Sequence, residues 1–402
     1  MSELRFLTAG ESHGKGLTVT VEGLPAGLPL TEEYMESDLR RRQGGYGRSK
    51  RQQIEQDHAE IIAGVRHGHT LGSPLALFIR NRDWENWGEV MQVEPFEGEV
   101  KRVTRLRPGH ADLAGAMKYG FDDVRNVLER ASARETAARV AVGAVCRRLL
   151  EEFGVAVHSH TVSIGDVVSS PTSRGEPDWE AVEKSPVRCA DASASERMVK
   201  AIDAARDAGD TLGGAFEMRA SGVPIGLGSH VMWDRKLDGL LAQAVMSIHA
   251  VKGVEIGGGF ALTSTPGSQA HDVILPPEKW HGRPWRRATN RAGGLEGGIT
   301  NGEPVVVRGA LKPISTLSKP LPSVDLITGE EIQAHYERSD VCTVPAAGVV
   351  GEAMVLIVLA QAMLEKFGGD RLEETRRNYE AYVKTVGPRD PKSSSMERDG
   401  ES

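Results

Sequence analysis

Residues 345–367 read PAAGVVGEAMVLIVLAQAMLEKF. Pro345 suits the first turn of a helix and Gly368-Gly369 its end. The segment is apolar nearly all round, so a helix here has no polar face to offer water and belongs at the centre of a large domain or an oligomer. Its longest unbroken apolar run, Ala353 to Ala360, is far short of the ~20 residues that span a bilayer, so it reads as a buried helix.

A second long helix is predicted from Ser132 to Phe153. Ala137, Ala141, Ala144, Val145, Leu149 and Phe153 form one apolar stripe on it, and Gly154 ends it. Around these two helices the period changes to that of strands. Leu17 to Glu22 alternates, and Glu60 to Val65, Pro74 to Arg80, Val155 to Ile164, Gly214 to Ala220 and Pro304 to Ala310 are further strand candidates. Thr31 is a good N-cap for a helix that runs to about Arg42.

Two short echoes suggest duplication. GLPAGL (23–28) after one strand resembles GVPIGL (222–227) after another, and TLGSP (70–74) resembles TNGEP (300–304), each leading into a strand. The expected fold is α/β, with one unit over residues 1–385 built from two similar halves, about 1–210 and 211–385, around a shared core. The polar, charged stretch 386–402 reads as a disordered tail.

Bulk composition narrows the function. A net charge of −7 argues against general affinity for nucleic acid or acidic membranes, so any basic site must be local. Cys146, Cys189 and Cys342 are odd in number and lack zinc or CxxC spacing, which fits packing thiols in a reducing cytoplasm. The first ten residues lack the apolar run of a secretion signal. His67-x-His69 and His158-x-His160 have the spacing for one strand face, but no carboxylate or thiol pattern completes either pair, and no metal is expected.

Basic and hydrogen-bonding residues gather on glycine-rich loops. GESHG (10–14) sets Ser12 and His13 between glycines, where backbone can approach a ligand and an imidazole can give or take a proton. RLRPGHAD (105–112) presents His110 on a Pro-Gly turn beside Arg107. Ser132 and Glu135 have capping-box spacing, and Arg130 and Arg134 flank the same helix start, so this segment reads as a cap, an anion site, or both. Arg42 lies at a helix end and Arg48 beyond the following glycines. NRAGGLEGG (290–298), KPIST (312–316) and Arg338-Ser339-Asp340 add glycine pairs, hydroxyls, a lysine and an ion pair.

Taken in order, GESHG, RPGHAD (107–112), RASARET (130–136), AVKGVEIGGGF (250–260), NRAGGLEGG, KPIST and RSDVCTVPAA (338–347) resemble the motif series of the chorismate synthase family over about residues 4–385. The resemblance implies a β-α-β sandwich core, a homotetramer, and conversion of 5-enolpyruvylshikimate 3-phosphate to chorismate with reduced FMN required but not consumed. It implies flavin contacts at Arg130, Ala131, Ser132, His249, Ala250, Gly297, Lys312, Pro313, Ile314, Ser315, Thr316 and Arg338. Arg42 and Arg48 fall on its NADP positions and could equally hold anionic groups of the substrate, as could Ser12, Arg107 and Arg134. His13, His110 and Asp340 take the catalytic places: His13 toward the leaving phosphate, His110 toward reduced flavin, Asp340 near the flavin's reactive nitrogen. NADPH is a possible reductant, and with no reductase domain visible an external flavin reductase is the simpler source. His249 stands where a smaller amide residue is expected. Two rival classes stay open: a flavin oxidoreductase, weakened by the lack of GxGxxG after the first strand, and a non-catalytic binder of phosphorylated ligands.

Overall fold

The computed structural model describes residues 3–48, 56–96, 98, 102–170, 176–276, 285–336 and 340–387. The tail expected at 386–402 lies, beyond Gly387, outside the described residues. The first half begins with strands β1 (Arg5–Ala9) and β2 (Gly16–Glu22), helix α1 (Glu32–Gln43), β3 (Glu60–Ala63), a small hairpin over residues 65–70, and β4 (Leu75–Arg80). Helices α2 (Asp112–Tyr119), α3 (Arg125–Ala131) and α4 (Thr136–Glu151) follow. The second half runs β5 (Ala156–Ile164), β6 (Val167–Val168), β7 (Gly214–Ser221), α5 (Leu237–Met246), β8 (Val251–Ile256), a hairpin over residues 295–300, β9 (Val305–Leu311) and α6 (Val344–Phe367), before α7 (Leu372–Thr385).

The two sheets have the same topology. One is ordered β1-β2-β4-β3 and the other β5-β7-β9-β8, with β6 added at the β5 edge, and every neighbouring pair is antiparallel. The echoed turns form the same hydrogen-bond net. Thr70 Oγ1 accepts from Leu28 N and donates to Pro25 O, while Gly27 N donates to Thr70 O and Thr70 N to Leu28 O. Thr300 does the same with Leu227, Pro224 and Gly226. In both turns the last glycine has positive φ, 86° at Gly27 and 96° at Gly226, which only glycine adopts without strain. The structural repeat changes over near Gly154, earlier than the expected divide near 210, because β5 pairs with β7. The echoed turns lie inside each half and could not mark its start.

Helices fill the space between the sheets. α4 packs on β2 and β1, α6 packs on β5, β7 and β9, and the two helices lie against each other, with α1 and α5 beside them. This is the β-α-β sandwich. Gly143 on α4 permits the close crossing: a Cβ there would come within 2.5 Å of Ala353 Cα on α6. All of α6 except Gln361, Glu365 and Lys366 is buried. By length and composition alone α6 could cross a membrane, but here it is the core helix of the sandwich.

One buried carboxylate interrupts that apolar helix. Glu352 accepts from Arg41 at 2.8 Å, Arg147 at 2.7 Å and Ser159 Oγ at 2.7 Å, with Arg188 at 3.4 Å. Burial opposes its charge, but the arginines outweigh burial and hold its pKa well below the ordinary carboxylate range.

Several expected elements change in detail. The helix predicted from Ser132 opens as a 3-10 turn, Ala133–Glu135, before α4. No capping box forms: Ser132 Oγ accepts from Arg134 N, while the Glu135 carboxylate accepts from Arg139 and Thr8 instead. The predicted stripe of α4 is buried, but so are Ala138, Val140, Val142 and Cys146, because a central-layer helix is covered on more than one side. On β5 the face packed against the helices carries Val157, Ser159 and Thr161, whereas His158 and His160 both lie against Trp179 on the other face. His67 and His69 sit at a hairpin turn, not on one strand face. Cys146, Cys189 and Cys342 are buried thiols, and burial pushes Cys146 up to about 12.

Candidate functional site

A cavity of about 590 Å³ opens where the N-terminal ends of α4 and α6 converge. Ser132, Ala133, Arg134 and Thr136 line it from the α4 entry, and Thr343, Ala346, Ala347 and Val350 from α6. The two helices occupy equivalent places in the two halves, so the repeat aims two positive helix ends at one space. Loops complete the wall. Ser12 and His13 come from the turn between β1 and β2, Arg107 and His110 from the segment before α2, Ile248 to Ala250 from the end of α5, and Leu311, Lys312 and Ile314 to Thr316 from beyond β9.

Arg42, Arg48, Arg107, Arg134 and Lys312 line the cavity, against the single lining carboxylate Asp340 among the described residues. This is the local basic site that a net acidic chain requires. Arg42, Arg107 and Arg134 are held by carboxylates behind the wall. Arg42 donates to Asp57 at 3.0 Å, to Thr136 Oγ1 at 3.0 Å and to the carbonyl of Ala133 at 3.1 Å. Burial lowers Arg42 to about 10 against the pull of Asp57, and Arg134 and Arg48 add to the fall, yet it remains a cation at neutral pH. Arg134 pairs with the other oxygen of Asp57, and its Nε donates to Asn81 Oδ1 at 2.9 Å. Arg48 pairs with Asp340 at 3.2 Å.

Each histidine has its own carboxylate. His13 Nδ1 lies 2.9 Å from Glu129 Oε1, its backbone N–H donates to Glu129 Oε2 at 2.8 Å, and Trp87 covers the ring with centroids 3.9 Å apart. His110 Nδ1 lies 2.5 Å from Asp112 Oδ1, and Arg107 binds the same carboxylate through Nε and Nη2. Burial works against both carboxylates' charge, but the histidine bonds and nearby arginines prevail, so Glu129 is lowered and Asp112 held well below the usual range. A carboxylate at Nδ1 favours a ring proton on that nitrogen.

The loops are tied to one another. Lys312 Nζ donates to the carbonyl of Gly109 at 2.9 Å, joining the KPIST segment to the His110 turn, and burial, with Lys252 adding, lowers its pKa. Lys312 N donates to the carbonyl of Ala250 at 2.9 Å. Ala250 has φ 65°, a left-handed conformation costing a non-glycine residue ~1–2 kcal/mol, at the point where the chain turns along the cavity. His249 Nδ1 is buried there without a hydrogen-bond partner among the described residues, as is Arg48 Nε. Burial lowers the His249 pKa.

Most residues named from sequence meet here: Ser12, His13, Arg42, Arg48, Arg107, His110, Ala131, Ser132, Arg134, His249, Ala250, Lys312, Ile314, Ser315, Thr316 and Asp340. Arg130, Gly297 and Pro313 are not on the cavity wall. The Arg130 guanidinium instead binds the carbonyls of Thr8 and Gly10, and Gly297 sits in the turn of the 295–300 hairpin. Arg338 lies outside the described residues. Sequence reasoning missed Asp57, Asn81, Trp87 and Glu129. Only Asp112, two residues from His110, carried a local signal.

Residues 4–364 match the chorismate synthase family. The chorismate synthase of Moorella thermoacetica is 60% identical over 382 residues, covering 94% of this chain and 98% of the relative. That of Aquifex aeolicus is 56% identical over 396 residues, covering 95% and 98%. A crystal structure of chorismate synthase superposes with a TM-score of 0.77 at 47% identity, covering 96% of this chain and 99% of that one. Sequence, topology and cavity converge: the chain belongs to the chorismate synthase family.

Proposed function

We propose that the cavity carries out the family's carbon–oxygen lyase reaction, with His13 and His110 as its proton-handling groups. In this last common step of aromatic amino-acid biosynthesis, an anti-1,4-elimination removes phosphate and a ring proton from 5-enolpyruvylshikimate 3-phosphate and gives chorismate without net redox change. The observation that carries the site assignment is the placement of both carboxylate-tethered histidines on one cavity lined by five cations.

The residues present fit a flavin nucleotide. Leu128, Ile248, Leu311, Ile314 and Val350 supply apolar wall for a flat ring, His249 offers a buried unsatisfied ring nitrogen at its edge, and Lys312, Ser315 and Thr316 suit a phosphate. We take the group to be FMN, which Ala131, Ser132, His249, Ala250, Lys312 and Ile314 to Thr316 would hold, with Asp340 as the carboxylate on the same wall that would assist it. When bound, reduced flavin lends electron density to the breaking C–O bond and recovers it as the proton leaves.

The chain's own part is positioning, charge and proton transfer. Arg48, Arg107 and Arg134 hold the substrate's phosphate and carboxylates and screen their mutual repulsion. His13, protonated at Nε2, donates that proton to the departing phosphate. His110, with Asp112 fixing its Nδ1 proton, stabilises charge at the flavin. Arg42, held by Asp57, Thr136 and Ala133, adds its charge to the same wall, and we assign it and Arg48 to substrate anions rather than to NADPH. Reduction then falls to an external reductase. A cytoplasmic homotetramer belongs to the same proposal, and exposed Leu113, Met117 and Tyr119 on α2 offer apolar surface for a subunit contact.

The test is stoichiometric. With catalytic reduced FMN the enzyme should form many chorismate molecules per flavin, and one NADPH consumed per product would establish the oxidoreductase reading instead.

A further inference from the structure

Glu129 reaches His13 in a way that the elimination chemistry alone does not require. It is a buried carboxylate on α3, 3% exposed, whose two oxygens meet both the backbone nitrogen and the ring Nδ1 of one residue. The backbone N–H of His13 donates to Oε2 at 2.8 Å, and the ring Nδ1 lies 2.9 Å from Oε1 and 3.1 Å from Oε2. This double hold fixes the residue's backbone and its ring against the same group. Ser12 N also donates to the Glu129 carbonyl at 3.0 Å, so the turn carrying His13 is fastened to α3 at three points.

Trp87 closes the other degree of freedom. Its ring lies over the imidazole, tilted by 34°, and its indole N–H is engaged by Asp83 at 3.0 Å, so the platform is itself fixed. Arg125 on α3 stands over Trp87, 5.0 Å from its centroid, and donates to Glu129 at 3.2 Å, which keeps the carboxylate ionised and oriented. Asn81 holds the turn from the other side by donating to the carbonyls of Glu11 at 3.1 Å and Gly14 at 2.7 Å. Rotation of the ring about either side-chain torsion would break the Glu129 bond or the Trp87 contact.

We propose that Glu129 is the positioning residue of His13, selecting the ring form with its proton on Nδ1 and presenting Nε2 to the cavity, with Trp87 as the platform. The inference rests on the reading of His13 as the acid toward phosphate. An imidazolium that gives its Nε2 proton to the leaving oxygen is left as the neutral Nδ1–H form, and that is the form a carboxylate at Nδ1 stabilises. The proton moves from nitrogen to oxygen as the C–O bond breaks, and Glu129 keeps its charge throughout. An unconstrained neutral histidine favours the opposite form, with the proton on Nε2, so the arrangement has a distinctive signature.

The experiment is ¹⁵N NMR of the full chain with ring-labelled histidine, at a pH where the rings are neutral, with His13 assigned by the loss of its signals in His13→Asn. Wild type should show Nδ1 protonated and Nε2 bare. Glu129→Ala should revert to the Nε2–H form and lose about 10-fold or more in kcat with a smaller change in KM, whereas Glu129→Gln, whose amide oxygen still accepts, should keep the Nδ1–H form and recover part of the rate. A wild-type ring protonated mainly on Nε2 overturns the proposal without any variant, so a misfolded Glu129→Ala cannot hide the answer. Unchanged ring form and rate in folded Glu129→Ala also overturn it. If instead the ring form responds as expected while folded His13→Ala turns over at the wild-type rate, the positioning stands and the acid role of His13 fails.

Discussion

His13 and His110 reach the same cavity by unrelated routes. One sits in a β-turn fastened to α3, the other on a Pro-Gly turn fastened by Asp112 and Arg107. Each Nδ1 is occupied by a carboxylate, so each ring offers the cavity one nitrogen. If both carry protons in the reaction, His13→Ala and His110→Ala should each slow turnover by about 10²-fold or more, the usual scale for general acid–base groups. Steady-state rates on folded variants check this, and wild-type rates in the double variant would end the assignment. At this scale much was legible in the sequence. Glycine and proline marked both loops, and arginines marked the anion site. The carboxylates behind them were not, because Asp57 and Glu129 are far from their partners in the chain, and a buried acid looks like any other in sequence. Arg130 shows that charge beside a helix start does not by itself fix a partner: its guanidinium binds the carbonyls of Thr8 and Gly10.

At the level of elements, α6 contributes both core and site, lining the cavity with Ala346, Ala347 and Val350 and anchored in the core by Glu352. Its folded pKa is depressed, so the stability it confers is fully present above the ordinary glutamate value and is lost as pH falls through the folded value. Glu352→Gln removes one partner from a buried cluster of arginines, and should cost about 3–5 kcal/mol at neutral pH. Denaturant unfolding should also show a shallower loss of stability between about pH 5 and 3 in the variant than in wild type. An unchanged midpoint at neutral pH would mean that the cluster contributes nothing net. The apolar run of α6 was readable because its length and uniformity leave one solution, a central helix. The start of α4 was misread because Ser132 and Glu135 have capping-box spacing, yet Glu135 is drawn away by Arg139 and Thr8 from other turns and strands.

Across the whole molecule the two sheets share one strand order, and the matching threonine nets are the plainest trace of it. Thr70 and Thr300 each satisfy one buried amide and one carbonyl. Thr70→Val and Thr300→Val should therefore destabilise by similar amounts, about 1–3 kcal/mol each, the cost of leaving a buried polar group unpaired. Chemical denaturation of the two variants reads this directly, and a large effect at one site with none at the other would show that the halves no longer share the device. The turns were visible in sequence because glycine and proline positions are fixed by backbone geometry. The boundary between halves was not, since β1 and β5 open the repeats with no common motif. What the repeat achieves is convergence: two core helices aim their positive ends at one space, and five cations gather there in a chain of net charge −7. That phosphate is eliminated in this space with reduced flavin as a catalyst and not as a reagent is a testable proposal. Its most direct test is phosphate release from 5-enolpyruvylshikimate 3-phosphate without oxygen, comparing reduced with oxidised FMN. Release is expected only with reduced FMN, with the flavin still reduced when substrate is exhausted; release with oxidised FMN, or flavin oxidised in step with product, would refute it.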